Sequence, residues 1–342
     1  MPVSLCIKDF LLSPGSILDV RSPSEYKQGH LPGSLSFPLF TDDERALVGT
    51  LYKRKSRQEA IEAGLDLMQA KLPSLISQAD ALLNQSSRVL CWRGGMRSGF
   101  IARFLEALGY SAVTLQGGYK AFRRHVIRLF NQLAVHPPRF FILGGFTGSG
   151  KTAILQVLRQ GGEQVVDLEQ LACHRGSVFG GIDLPEQPSQ EHFENQLAFS
   201  LEQFDWTRPI WLEDESRLIG KRHLPTELFQ IMQQSPLFFL DCPFEERLDH
   251  LMHLYGQAST FDLLEAIRRI TKRLGSQLTG EVSNLIRQGH KRQAVHHLLT
   301  YYDKAYHYQL AKRQHVYSLT EPCGSIEEWA LHLQTAAKRI SL

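Results

Sequence analysis

The sequence is poor in the features that announce a function class on their own. Five cysteines, Cys6, Cys91, Cys173, Cys242 and Cys323, are scattered through 342 residues with no Cys-x-x-Cys pair. They are too few and too dispersed for a disulfide scaffold, so a reducing, cytoplasmic home is expected. No uncharged apolar run approaches the ~20 residues of a membrane span. The opening stretch MPVSLCIKDFLLSPGS carries Lys8 and Asp9 inside its only apolar segment, so neither an export signal nor a membrane partner is expected. Charge of one sign is also lacking: 38 Lys and Arg face 35 Asp and Glu, a net +3 with 14 His neutral. Any affinity for a polyanion must therefore come from local clustering. Internal repeats and low-complexity tracts are absent.

At 342 residues the chain is too long for one compact core, so two domains are expected. The first part alternates short strand-like runs with helical ones: SILDV, LSFPL, a helical region from about Asp42 to Leu83, RVLCW, RSGFIARFLEALG, AVTLQGG and YKAFRRHVIRLFNQL. That reads as a small α/β domain over residues 1–134. Pro137 and Pro138 can continue neither a helix nor a central strand, which places a linker at 135–138. From 139 to 342 the alternation resumes with FFILGG, EQVVDLE, RPIWLEDES and SPLFFLDC, then turns mostly helical from Pro243 to about Gln314. The expected class is α/β throughout, with a helical C-terminal extension.

Two glycine loops carry the chemistry. GGFTGSGKT places Gly145, Gly148, Gly150, Lys151 and Thr152 between an apolar strand and the helix-like AILQVLRQ, the context in which a P-loop is meaningful. Glycines let backbone N–H groups converge on phosphate oxygens, Lys151 reaches a terminal phosphate and Thr152 faces a metal ion. The ligand should carry at least two phosphates, and Mg2+ is the metal such a site would take. Glu213, Asp214 and Glu215 follow the apolar PIWL and are the candidate metal or substrate carboxylates, with Asp214 preferred.

The second loop, CWRGGMRS, puts Cys91 at the end of a buried strand and Arg97 at the start of a helix, with Gly94 and Gly95 between. A thiol there is expected to meet a ring of N–H donors, a helix N-terminus and the guanidiniums of Arg93 and Arg97, all of which favour thiolate. Cys91 to Arg97 is also the Cys-x5-Arg spacing of cysteine phosphatases. One loop geometry thus serves attack on phosphorus or carriage of a sulfur-type atom. The other cysteines are expected to be inert and packed, Cys173 included.

Neighbouring phrases narrow the choice. ILDVRSPSEYKQGHLPGSLSFPL resembles the first half of a rhodanese domain. PLFTDDERALVGTLYK, CWRGGMRS, LQGGYKAFRR, DLEQLACHRGSVFG, QPSQEHFEN, WLEDESRLIG and YYDKAYHY, beside a P-loop domain, resemble the tRNA 2-selenouridine synthase family nearly end to end. The resemblance implies a rhodanese-like domain followed by a P-loop NTPase-like α/β domain. It implies a transferase that geranylates 2-thiouridine at the tRNA wobble position from geranyl diphosphate, then replaces the geranylated sulfur with selenium from selenophosphate. Gly145, Gly148, Gly150, Lys151 and Thr152 would grip the diphosphate; Cys91, with Arg93 and Arg97, would serve the selenium step. A selenophosphate-producing enzyme is then a candidate partner. His174, Arg175, Ser177 and Arg217, in family phrases, are candidate substrate or tRNA contacts. The chain departs from some members in having Leu90, not a second cysteine, before Cys91.

Basic side chains at helical spacing supply candidate tRNA contacts. Lys120, Arg124 and Arg128 recur every four residues, and Arg268 with Lys272 and Arg269 with Arg273 do the same; Arg287, Lys291 and Arg292 lie near the second set. A splayed wobble base needs an aromatic partner, for which Tyr119, Phe179, Phe193 and Trp211 are candidates. Two other readings fit the residues: a cysteine phosphatase fused to a nucleotide kinase, and a non-catalytic tRNA-binding protein.

Overall fold

A computed structural model describes residues 2–83, 85–319 and 325–340. It packs as two units, one of Met1–Leu129 with Glu194–Phe199, the other of Phe130–Phe193 with Ser200–Leu342. Cys323 lies outside the described residues.

The first unit runs β1 (Val3–Leu5), α1 (Ile7–Leu12), β2 (Ser16–Asp19), α2 (Pro23–Gln28), β3 (Ser34–Ser36), α3 (Asp42–Arg54), α4 (Arg57–Gln69), α5 (Leu72–Leu82), β4 (Ser86–Leu90), α6 (Met96–Ala107), β5 (Ser111–Leu115) and the start of α7 (Gly118–Val135). Its five strands are all parallel, in the order β1-β5-β4-β2-β3. Parallel strands are covered on both faces, which is why Ile17, Leu18 and Asp19 of SILD are buried in succession, as are Val89 and Leu90 at the end of SSRVL. Leu18, Val20, Phe37, Val89, Ile101 and Leu105 make the core. The helical stretch from Asp42 divides into three helices. Thr41 and Ser56 accept from Glu44 N and Glu59 N, so hydroxyl caps start the first two.

One buried ion pair organises this unit. Asp19 and Arg21 are both fully buried, and the Arg21 guanidinium donates to both Asp19 oxygens, at 2.6 to 3.0 Å, and to Gly29 O at 2.7 Å. The same guanidinium lies 3.7 Å from the centre of the Tyr119 ring. The Asp-Val-Arg and Gly-His-x-Pro-Gly phrases are thus two halves of one contact.

The second unit continues through β6 (Phe140–Gly145), α8 (Lys151–Gln160), β7 (Gln164–Val166), α9 (Leu168–Ala172), α10 (Gln190–Glu202), β8 (Ile210–Glu213), β9 (Leu218–Ile219), β10 (Arg222–His223), α11 (Thr226–Gln234) and β11 (Leu237–Leu240). It ends with α12 (Phe244–Tyr255), α13 (Thr260–Arg269), α14 (Thr271–Leu274), α15 (Ser276–Arg287), α16 (Lys291–Leu310), β12 (Val316–Leu319) and α17 (Ile326–Ile340). Its main sheet is parallel, in the order β12-β11-β6-β8-β7. Helices α12 to α16 share their own core, with Leu251, Tyr255, Ile267, Val282 and Leu298. The chain then departs from a purely helical ending. Strand β12 joins the sheet edge, and α17 places Trp329 and Leu333 against Ile154 and Leu158 of α8.

Replacing Asp19 by Ala leaves Arg21 buried without its carboxylate and should cost about 3–5 kcal/mol of unfolding free energy. The double change Asp19→Leu with Arg21→Met removes both charges and should recover most of that loss. Denaturant titration followed by circular dichroism checks it; an unmoved midpoint in Asp19→Ala contradicts the assignment.

Candidate active site

The P-loop is built on the end of β6 and the start of α8. Gly148 has φ +89°, and a Cβ there would stand 2.7 Å from Arg247 O, so only glycine fits against the helix behind it. Lys151, at the first position of α8, folds back to donate to Gly145 O at 2.9 Å. Thr152 Oγ1 donates to Glu169 Oε2 at 3.0 Å.

Two helical residues shape the loop from behind. Arg247, buried on α12, donates to Asp303 of α16 at 3.0 and 2.7 Å and to Thr147 O at 3.2 Å. Tyr306, one turn further along α16, accepts from Gly145 N at 3.2 Å and donates to Asp214 Oδ2 at 2.7 Å. Burial and the adjacent Asp214 carboxylate push the Tyr306 hydroxyl far above its usual range, so it stays protonated. The phrase YYDKAYHY is thus the buttress of the P-loop.

Asp214, the preferred metal carboxylate, is held elsewhere: Arg313 pairs with its other oxygen. The carboxylate on Thr152 is Glu169, which the sequence reading passed over. Glu169 shares a hydrogen bond with Glu215, and Glu213 lies nearby, fully buried, with Oε2 accepting from Leu168 N at 2.8 Å and Oε1 unpartnered. Burial pushes all three carboxyls up; mutual repulsion adds to this, with Asp167 and Glu169 acting on Glu213 and Glu169 on Glu215. The cluster therefore takes up protons at higher pH than ordinary glutamates do. Among the described residues no three His, Cys, Asp or Glu side chains converge as a metal site.

The CHRG loop after α9 covers this cluster. Gly176 has φ +66°, and a Cβ on it would stand 2.6 Å from Glu215 Oε1 and 2.9 Å from Glu169 Oε1. His174 is half-buried, its Nδ1 has no hydrogen-bond partner among the described residues, and burial lowers its pKa. Arg175 turns inward to Ile182 O at 3.1 Å. The buried Ser177 hydroxyl has no partner and lines a cavity of about 20 Å³ with Thr147, Phe179 and Tyr255. Arg217 stays exposed and donates to Thr226 Oγ1 at 3.0 Å. Cys173 is half-buried in the left-handed C-cap of α9.

In the first unit Cys91 ends β4 and is 3 % exposed. The expected ring of donors reduces to Gly95 N, at 3.4 Å from Sγ, with Ser98 Oγ at 3.2 Å. The Arg97 guanidinium donates to Glu25 Oε2 at 2.8 Å, the same oxygen that caps α2 by accepting from Ser22 N. Burial would raise Glu25, but the hydrogen bond and charge of Arg97 hold it below the usual glutamate range. Arg93 is exposed. Gly118, with φ +57°, lets α7 start against the loop, so that Tyr119 N donates to Cys91 O at 2.9 Å and Lys120 N to Trp92 O at 3.0 Å.

All four aromatic candidates for a splayed base, Tyr119, Phe179, Phe193 and Trp211, are core residues at 5 % exposure or less. Tyr119 beside Lys120 and Phe193 between His192 and Glu194 have polar sequence neighbours, so sequence position concealed that their own side chains pack inward. Trp92, 38 % exposed beside Cys91, is the aromatic that the loop offers to solvent. The expectation that Cys6 is packed is also corrected: it is exposed at the start of α1, its Sγ 3.1 Å from Asp9 Oδ2. Cys242 is half-buried.

Residues 138–337 match the family described as tRNA 2-selenouridine synthase AAA domain, and residues 7–125 match the rhodanese-like domain. A Proteus mirabilis protein named tRNA 2-selenouridine synthase is 34% identical, over 94% of this chain and 96% of its own length. Proteins of the same name from Salmonella arizonae and Salmonella newport are each 36% identical, over 89% and 93% of this chain and 92% and 95% of their own.

The buried Glu213 carries a testable penalty. Its raised folded value means that the native chain retains a proton the unfolded chain loses, so its contribution is harmless at low pH and destabilises as pH rises above ~4.3, the ordinary glutamate value. Glu213→Gln keeps the acceptor for Leu168 N and removes the charge. Its melting temperature should exceed that of the parent at pH 8, by roughly 2–4 °C for each kcal/mol relieved, and converge on it toward pH 4. A gap independent of pH contradicts the assignment.

Proposed function

The chain belongs to the tRNA 2-selenouridine synthase family, and from that premise we propose that it converts wobble 2-thiouridine in tRNA to 2-selenouridine through an S-geranyl intermediate. The observation that carries the reading is the pairing, in one chain, of a complete P-loop with a cysteine loop at the end of a rhodanese-type parallel sheet. Neither loop alone distinguishes the reaction, because each occurs on many folds with many chemistries.

In the first step the 2-thiouridine sulfur attacks C1 of geranyl diphosphate, a C–S bond forms, and the C–O bond to the diphosphate breaks. Lys151, the loop N–H groups of Gly148 and Gly150, and the α8 N-terminus stabilise the departing diphosphate. No phosphoryl group is transferred. Thr152 and Glu169 would hold a Mg2+ ion there, since such a site needs only one or two carboxylates. Such an ion would neutralise charge on the leaving group.

Alkylation makes the sulfur a leaving group. Selenium freed from selenophosphate as hydrogen selenide then adds at the base carbon, and the geranyl thiolate departs with the selenide's proton as geranyl thiol. Cys91 serves this step as the nucleophile that opens selenophosphate: its sulfur attacks phosphorus, the P–Se bond breaks to free hydrogen selenide, and water then cleaves the S–P bond to orthophosphate, with Arg93 exposed beside it and Arg97 able to exchange Glu25 for the anion. The chain thus acts on tRNA and draws on two small co-substrates, the second supplied by a selenophosphate-producing enzyme.

Nucleoside mass spectrometry on separate steps tests the division of labour. Lys151→Ala should lose geranylation by about 10²-fold or more yet still selenate RNA that is already geranylated. Cys91→Ser should geranylate normally and fail to selenate, and Arg97→Ala should weaken selenation alone. Equal loss of both steps in every variant sinks the assignment, and indifference to both Lys151→Ala and Cys91→Ser favours a binding protein.

A further inference from the structure

The fold separates two basic clusters that look alike in sequence. On the helical part of the second unit the cations are interleaved with carboxylates. Arg268 and Arg269 both lie on Glu265, at 2.9 and 3.5 Å, and Arg292 is bracketed by Glu245 and Asp249, leaving Lys272 and Arg273 exposed. On α7 the pattern differs. Lys120, Arg124 and Arg128 are exposed, and the two guanidiniums donate only to carbonyls of their own helix, Arg124 Nε to Lys120 O at 3.4 Å and Arg128 Nε to Arg124 O at 3.3 Å. Among the described residues no carboxylate pairs with these three.

These unneutralised guanidiniums line an open groove of about 700 Å³, within the ~300–1,000 Å³ of small-ligand sites. Gln116 of the β5–α7 turn lines it too, as do Cys6, Ile7 and Ile127, the last 50 % exposed. A groove that combines unpaired arginines, an amide and exposed aliphatic carbon suits a ligand made of anions and flat apolar faces. Single-stranded RNA is such a ligand, since its phosphates take guanidiniums and its unstacked bases pack on side chains. The groove also shares its backbone framework with the thiol loop: the turn of Gln116 and Gly117 leads directly into the α7 residues whose N–H groups bond Cys91 O and Trp92 O.

We infer that this groove holds a nucleotide of the RNA strand adjoining the base under modification, with Arg124 and Arg128 on the flanking phosphates and Ile127 against the base or ribose. The inference rests on the RNA-substrate reading and goes beyond it by choosing one basic face over the other and assigning a subsite. The Arg124 and Arg128 charges act in binding and not in the chemical steps.

Fluorescence anisotropy with an unmodified anticodon stem-loop oligoribonucleotide, without either co-substrate, tests it independently of catalysis. The double variant Arg124→Ala with Arg128→Ala should bind at least tenfold more weakly. Its affinity should also fall less steeply with salt, the log–log slope being smaller by about 1.4 at ~0.7 per single-strand phosphate. Arg268→Ala with Arg269→Ala should bind within twofold of the parent. Cys6 gives a native footprint: RNA should slow its alkylation, located by peptide mass spectrometry. Full affinity in the α7 variant, or Cys6 labelling indifferent to bound RNA, overturns the inference while leaving the RNA reading intact. A parent protein that binds no RNA overturns both.

Discussion

The buried pair of Arg247 with Asp303 ties the P-loop to the helical part of its unit. Its guanidinium also holds Thr147 O, while Tyr306, one turn along the same helix, holds Gly145 N and Asp214. One contact from α12 and one from α16 thus fix the loop backbone before any ligand arrives. Such preorganisation matters because N–H groups already in place need no reorganisation when charge develops on a leaving group. Breaking a buried pair of this kind by deleting one partner leaves an uncompensated charge, so the loop shape and the helical core stand or fall together.

Behind Lys151 and Thr152 the balance of charge is unusual. Glu169, Glu213 and Glu215 are all pushed toward the protonated state by burial and by one another, and Gly176 is pressed against two of them. Each of these groups takes up a proton at higher pH than an ordinary glutamate, which lessens the negative charge behind the loop. Asp214, the strand-end carboxylate expected at the metal, is taken by Arg313 and Tyr306, which leaves Glu169 as the carboxylate on Thr152.

Much of this was legible in the residues. The P-loop declares itself through glycine spacing between a strand and a helix, and the cysteine loop through its two glycines and the helix after it. What stayed hidden depends on partners far apart in the chain. Arg97 meets Glu25 across 72 residues, and Asp214 meets Tyr306 and Arg313 across 92 and 99. Spacing within a motif says nothing of such pairings, which is why Arg97 was expected at the thiol and Asp214 at the metal. Short edge strands were missed for another reason: β1 and β12, of three and four residues, are half exposed and show too little periodicity to register. The aromatic candidates failed because an aromatic in an apolar stretch is first a core residue, as Trp211 in β8 is.

The central claim is that the P-loop releases a diphosphate and moves no phosphoryl group. Its most direct test is to count phosphate products during turnover of geranyl diphosphate with 2-thiouridine RNA, alongside parallel incubations with ATP and GTP. The account predicts one inorganic diphosphate for each geranylated base and no orthophosphate released from either nucleotide. Brisk orthophosphate release from ATP or GTP, with the RNA base unchanged, would contradict it and make the loop a nucleotide-hydrolysing or kinase site.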